Sequence, residues 1–317
     1  MDCIEKKKQL EGILKETLTP LITGDYVHVG NPYYANIGDH LIWAGEVEFL
    51  STLPYKCLGS HNITTWQWPE LSENTVIIFE GGGNFGELYP EEHDLRMEII
   101  RRYPRNRIVI LPQSVAYKSD ERIAEDGGII DSHPDLHLCL RDEASYRFAV
   151  ENFPKCKKYK LPDMAFCISD SILAPYREPG GDKTLFLRRT DKEWVEPQFS
   201  IPADAEQKDW PTYDNGDSAI KMLRGLLYLG KRMPNPVKGL CFRCADKLAV
   251  SKVLDKMVYK GIDFLYPYER IITTRLHVLI LGFLLNRQIE YIDNSSGKLS
   301  AYADTWLSDM PKVVAYH

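Results

Sequence analysis

Long apolar runs are missing from this sequence of 317 residues. The longest, over 278–285, is about eight residues, against roughly 20 needed to cross a bilayer. No membrane-spanning helix is expected. The first residues, MDCIEKKKQLEGIL, hold no apolar signal-peptide core, which fits a chain that stays in the cytoplasm. Positive charge is in deficit: 39 Lys and Arg stand against 45 Asp and Glu, a net charge of −6. A general nucleic-acid binder carries the opposite sign, so no nucleic-acid partner is expected. Metal-binding cysteine patterns are lacking too. The seven cysteines are scattered, and Cys241 and Cys244 form a lone C-x-x-C without a second pair or a histidine at zinc spacing. They read as reduced, incidental thiols, and no metal is expected.

What is present is an ordinary globular composition, 44% hydrophobic and 26% charged, long enough for about two domains. Short apolar runs over 26–29, 76–79, 107–111 and 136–140 alternate with amphipathic stretches over 39–50 and 142–151. Strands alternating with helices predict parallel βαβ units in an α/β fold. Pro175, Pro179, Gly180 and Gly181 break the pattern. They suggest a first Rossmann-like domain over 1–174, a linker over 175–183 and a second over 184–298. A final helix from 299 is placed back across the first domain. In the second half, strands are predicted at 184–187, 271–274 and 288–292. Helices are predicted at 219–229, 245–259 and up to 285. The Pro- and Asp-rich stretch 195–216 reads as a long loop or lid.

Four segments carry the chemistry. Gly30 to Asp39 follows the first strand, where ligands bind in open α/β sheets. It has only two glycines, so it is no dinucleotide fingerprint, and Asp39 reads either as the N-cap of the next helix or as a catalytic group. Glu80-Gly81-Gly82-Gly83-Asn84 lets the backbone approach a ligand closely, and no Lys-Ser/Thr follows to make a P-loop. Arg188 and Arg189 end the first strand of the second half and suit bidentate capture of carboxylate or phosphate, unless they are a solvated salt-bridged pair. Thr274-Arg275-Leu276-His277 joins a strand to an apolar helix, whose N-terminal N–H groups favour anions. An arginine, a histidine and a helix N-terminus together make an anion site with a proton donor.

Six segments in order, Gly30-Asn31…Gly38-Asp39, Gly81-Gly82-Gly83-Asn84, Leu111-Pro-Gln113-Ser114, Leu140-Arg141-Asp142, Asp163-Met-Ala-Phe166 and Thr274-Arg275-Leu276-His277, make the chain resemble the polysaccharide pyruvyl transferase family. The NPYYAN stretch before Gly38 departs from the shorter turn of many relatives, and 190–240 has no counterpart. The resemblance implies two Rossmann-like domains facing a cleft, a GT-B-like architecture. It also implies transfer of the pyruvyl group of phosphoenolpyruvate to two hydroxyls of a sugar, giving a cyclic ketal in bacterial surface polysaccharide synthesis (capsule, exopolysaccharide or cell wall). Phosphoenolpyruvate is then a co-substrate and no further cofactor is implied. By that likeness Arg275 and Leu276, with Arg188 or Arg189, bind the donor. His277 is assigned as the acid and Asp39 as the base, and Asn36, Gly38, Gly82, Gly83, Asn84, Gln113, Ser114 and Arg141 line the acceptor side. The glycan acceptor is expected on a lipid carrier or a nucleotide, with peripheral membrane contact through the basic stretch Arg96–Arg107 if that stretch is not simply a solvated helix face. A nucleotide-sugar glycosyltransferase and a non-catalytic glycan-binding partner are the rival readings.

Overall fold

A computed structural model describes residues 1–187, 201–213, 217–293 and 297–316. Helix α1 (Cys3–Leu18) opens the chain, held by a capping box in which Asp2 accepts from the Ile4 and Glu5 amides and Glu5 accepts from that of Asp2. There follow β1 (Tyr26–Val29), α2 (Ile37–Ser51), β2 (Cys57–His61), β3 (Val76–Phe79), β4 (Gly82–Gly86), α3 (Pro90–Arg102), β5 (Ile108–Ala116), α4 (Asp120–Ser132), β6 (Leu136–Leu140), α5 (Glu143–Asn152) and β7 (Lys157–Lys160). These strands form one parallel sheet in the order β2-β1-β3-β5-β6-β7, with β4 beside β5. Strands β1, β3 and β6 are buried at every position, as helices on both faces of a parallel sheet require.

Beyond α6 (Asp170–Leu173), a second parallel sheet contains β8 (Lys183–Leu187), β9 (Glu206–Lys208), β10 (Tyr268–Thr273), β11 (Gln288–Tyr291) and β12 (Val313–Ala315), in the order β12-β11-β10-β8-β9. Its helices are α7 (Ser218–Arg232), α8 (Val237–Leu248), α9 (Leu254–Leu265), α10 (Leu276–Leu284) and α11 (Lys298–Trp306). In each sheet the chain runs outward from its first strand and then returns to that strand's other side. The reversals lie between β1 and β3 and between β8 and β10. Crevices at the carboxyl ends of such pairs are where α/β sheets bind ligands.

One apolar core runs through both sheets. It joins Val76, Ile78 and Val109 of the first to Leu185, Leu187 and Ile271 of the second through α2, α9 and α10. A separate cluster on the first sheet's other face packs Ile77, Phe79, Ile110 and Leu138 under α3, α4 and α5. Close approach sets this geometry. A Cβ on Gly45 of α2 would overlap the Met164 carbonyl, and one on Gly261 of α9 would stand 2.6 Å from Ile37 Cγ2.

Several expectations are corrected. Helix α2 begins at Ile37, and its cap is Asn36, whose side chain accepts from the Gly38 amide. The helix expected at 245–259 is two helices, α8 and α9, joined by a π turn over Ala249–Val253. Strand β9 lies inside the stretch read as loop, of which 195–200 and 214–216 are outside the described residues. The basic residues that run from α3 to the start of β5 are buried or paired. Arg96 is buried on Asn84, and Arg101, Arg102, Arg105 and Arg107 pair with Glu125, Glu98, Glu73 and Asp135.

Candidate active site

The two crevices open onto one pocket, lined from the first sheet by Tyr34, Asn36, Asp39, Glu80, Gly81, Gly82, Gly83, Asn84 and Arg141 and from the second by Trp210, Arg275, Leu276 and His277, with Leu299 of α11. The loop after β1 is tied down at its base. The Tyr33 hydroxyl and the Thr65 hydroxyl donate to Asp246 Oδ1 at 2.7 and 2.6 Å, while His61 Nδ1 lies 2.9 Å from Oδ2. The Asn36 amide group donates to Asp39 Oδ2 at 2.8 Å. Asp39 is therefore a first-turn carboxylate oriented toward the pocket by the residue that caps the helix.

Each glycine after β3 has a separate reason to be glycine. A Cβ on Gly81 would stand 2.8 Å from the Pro112 carbonyl oxygen, Gly82 has φ +126°, and a Cβ on Gly83 would crowd Arg141 Nη2 at 3.3 Å. The Gly81 amide donates to Glu46 at 2.7 Å. Gln113 supports the turn from below, donating to the Glu80 carbonyl at 2.7 Å and to Asn84 Oδ1 at 3.0 Å. Glu80 itself is 2% exposed, and its Oε2 has no hydrogen-bond partner among the described residues. Burial, with the nearby carboxylates of Glu46, Asp39 and Glu92, pushes the Glu80 carboxyl well above the ordinary range, while Arg96 opposes the shift. The environment favours a neutral acid. Glu92 is raised in the same sense, first by burial.

The opposite wall holds two arginines and a histidine, each beside an aspartate. No side chain caps α10, whose first turn opens at Arg275. The Arg275 guanidinium is held in a fork by Asp209, Nε at 2.8 Å and Nη2 at 2.9 Å. His277 Nε2 lies 3.4 Å from Asp163 Oδ2 and 3.4 Å from Arg141 Nη1. Arg141 Nη1 donates to Asp163 at 2.8 Å and Nε donates to Ser114 Oγ at 2.9 Å, and Ser114 donates to Asp142 at 2.6 Å. Burial raises the Asp163 carboxyl, but hydrogen bonding and charge from His277, then the Arg141 charge and the Ala165 amide, outweigh it and hold it at about 2. Helix α11 closes this cluster from behind. The Tyr302 hydroxyl accepts from the Asp163 amide at 3.0 Å, and Trp306 Nε1 donates to the Arg141 carbonyl at 2.8 Å. From the α2 side, a Cβ on Gly38 would meet His277 Nδ1 at 2.5 Å.

The structure thus brings Asn36, Asp39, Gly82, Gly83, Asn84, Arg141, Arg275, Leu276 and His277 to one pocket. Gly38, Gln113 and Ser114 stand behind it as supports, and Arg188 and Arg189 lie outside the described residues. Sequence reasoning passed over Glu80, Asp163, Asp209 and Trp210. Glu80 and Asp163 sat within quoted segments, but nothing near either in the chain indicates its surroundings. Among the described residues no three His, Cys, Asp or Glu side chains group to hold a metal ion, and no helix is long and apolar enough to cross a membrane.

Comparison with known proteins places the chain in a family. The sequence profile described as polysaccharide pyruvyl transferase matches residues 36–296. A Bacillus subtilis (strain 168) protein named pyruvyl transferase EpsO is 33% identical, over 97% of this chain and 92% of its own length. Pyruvyl transferase 1 of Schizosaccharomyces pombe is 27% identical, over 88% of this chain and 69% of its own. Among solved structures, an uncharacterised Klebsiella pneumoniae protein shares the fold with a TM-score of 0.59 at 19% identity, covering 97% of this chain and 99% of that one.

Proposed function

The chain belongs to the polysaccharide pyruvyl transferase family, and on that premise we propose that it moves the pyruvyl group of phosphoenolpyruvate onto two hydroxyls of one sugar residue, closing a cyclic ketal during assembly of bacterial surface polysaccharide. The observation that carries this reading is the division of the pocket. Arg275, His277 and an uncapped helix N-terminus of the second sheet form one wall, Asp39 and Glu80 of the first sheet form the other, and Arg141 of the first sheet reaches His277 between them. A small, multiply charged anion suits the first wall, where guanidinium charge and helix N–H groups bind carboxylate and phosphate. A polyol suits the second, where carboxyls accept and donate hydrogen bonds to hydroxyls.

On this reading Arg275 and the α10 N-terminus hold the donor, and His277 delivers a proton to its methylene carbon. That leaves an electron-poor C2, which one sugar hydroxyl attacks while Asp39 takes its proton. Phosphate departs and the second hydroxyl closes the ring. Two hydroxyl protons are lost, one is balanced by the new methyl group, and the other leaves with phosphate. The two sheets meeting at one pocket fit a GT-B-like arrangement, with the donor on the second sheet and the acceptor on the first.

The test is incubation with phosphoenolpyruvate and candidate glycans, following inorganic phosphate and glycan mass together. Phosphate release matched by one cyclic pyruvyl ketal per sugar is expected. Phosphate release with an open enol ether, or sugar transfer from a nucleotide donor, would overturn it.

A further inference from the structure

The α7–α8 hairpin is charged unlike the rest of the chain. Residues 218–245 hold six Lys or Arg and no Asp or Glu, in a protein of net charge −6. Each helix of the hairpin also carries two apolar stripes where folding uses one. The inner stripes are buried: Ile220 and Leu223 of α7, Phe242 and Ala245 of α8, with Gly230 so close to the Phe242 ring that a Cβ there would collide with it. The outer stripes are open. Met222, Leu229 and Met233 recur at steps of seven and four residues, and Val237 and Leu240 at a step of three, all on the exposed side, Met222 at 58% and Leu240 at 56%. Lys231, Arg232, Lys238 and Arg243 lie among them, and no ion pair among the described residues holds any of these four. Arg232 stacks on the exposed ring of Tyr228, 3.6 Å from its centroid.

We propose that the α7–α8 hairpin docks the protein on an anionic lipid bilayer, with its lysines and arginines at the headgroups and Leu229, Met233, Val237 and Leu240 in the acyl boundary. Basic residues interleaved with exposed apolar ones are what such a surface selects. Each part alone is weak, and together they hold a helix in the interface. An acidic protein or nucleic acid would match the charge but leave the apolar stripe unused. The hairpin's position gives the docking a use. Asp246 near the end of α8 grips Tyr33, the residue before the pocket-lining Tyr34. A bilayer under the hairpin therefore lies beside the acceptor wall. The proposal itself does not depend on the reaction assigned to that pocket.

Co-sedimentation tests it, with vesicles of phosphatidylcholine alone and of equimolar phosphatidylcholine and phosphatidylglycerol. The protein should pellet with the mixed vesicles and not with the neutral ones, and salt should release it. Each cation near an anionic surface contributes roughly fivefold, so Lys231→Gln combined with Arg232→Gln should lower the partition coefficient about thirtyfold. Leu229→Ser combined with Leu240→Ser should lower it as well. All four sites are exposed, so circular dichroism and phosphate release on a soluble acceptor should stay as in the parent. Equal pelleting with both vesicles, no pelleting, or unchanged binding by both variants would overturn the proposal. So would loss of a dimer in the serine variant, or oligonucleotide binding, when vesicle binding is absent.

Discussion

A buried carboxyl at the edge of a polar pocket, its Oε2 without a hydrogen-bond partner among the described residues, makes Glu80 the residue whose protonation is most open to measurement. Its raised affinity for a proton means the folded state holds that proton more tightly than the unfolded chain. The stability this contributes is complete below the ordinary carboxylate range and is lost as pH rises through the raised value. Glutamine imitates the neutral acid and cannot ionise. Glu80→Gln should therefore match the parent's Tm in acid and exceed it increasingly as pH rises. A Tm difference that stays flat with pH in calorimetry would show that Glu80 is not held neutral. On the facing wall, His277→Ala should lower turnover ~10²- to 10⁴-fold, the usual scale for a lost general acid, with donor affinity nearly unchanged. Arg275→Ala should raise the KM for phosphoenolpyruvate instead, because the anion loses a guanidinium partner. Steady-state kinetics on the two variants separates the roles, and a large donor KM effect from His277→Ala would reassign the histidine to binding.

Helices α2 and α10 meet end to end at the pocket, and Gly38 is where they touch. The methyl group of Gly38→Ala has nowhere to go except against His277 Nδ1, so the ring must turn away from Asp163 and Arg141. Expected is a turnover loss approaching that of His277→Ala with only a small drop in Tm, since alanine suits a first helical turn. Full activity in Gly38→Ala would mean the ring position is not critical. The same scale explains what the sequence displayed. β1, β3 and β6 were legible because strands buried on both faces are written as continuous apolar runs. β2 (CLGSH) and β9 (EQK) were not, because each is an edge strand, largely exposed and defined by pairing alone. The triple glycine and the Arg-Leu-His junction stood out as local patterns. The role of Asp163 did not, because its partners Arg141 and His277 lie 22 and 114 residues away, and only the fold brings them to one carboxylate. The two readings of Asp39, cap or chemical group, stayed open for the opposite reason. Asn36, three positions earlier, is the cap, which local pattern could not distinguish.

For the molecule as a whole, a pocket built from both sheets makes ligand binding a brace across the entire structure. Phosphoenolpyruvate at about 100 times its Kd should add roughly 2.7 kcal/mol of stability, and should do so in chelator-treated protein. A thermal shift that needs added divalent metal would contradict donor binding by arginine and helix N–H groups alone. With one core running through both sheets, the shift should move a single transition rather than one of two. The brace at the back of the pocket has its own consequence in time. Tyr302 and Trp306 hold the backbone of Asp163 and Arg141, so residues made early are fixed by residues made late. While the chain is still on the ribosome, the first sheet can form with its switch-point crevice in place, yet the arginine–aspartate–histidine cluster stays unfinished. Competence for chemistry should then appear abruptly once α11 has been made, long after the strands that frame the pocket have folded.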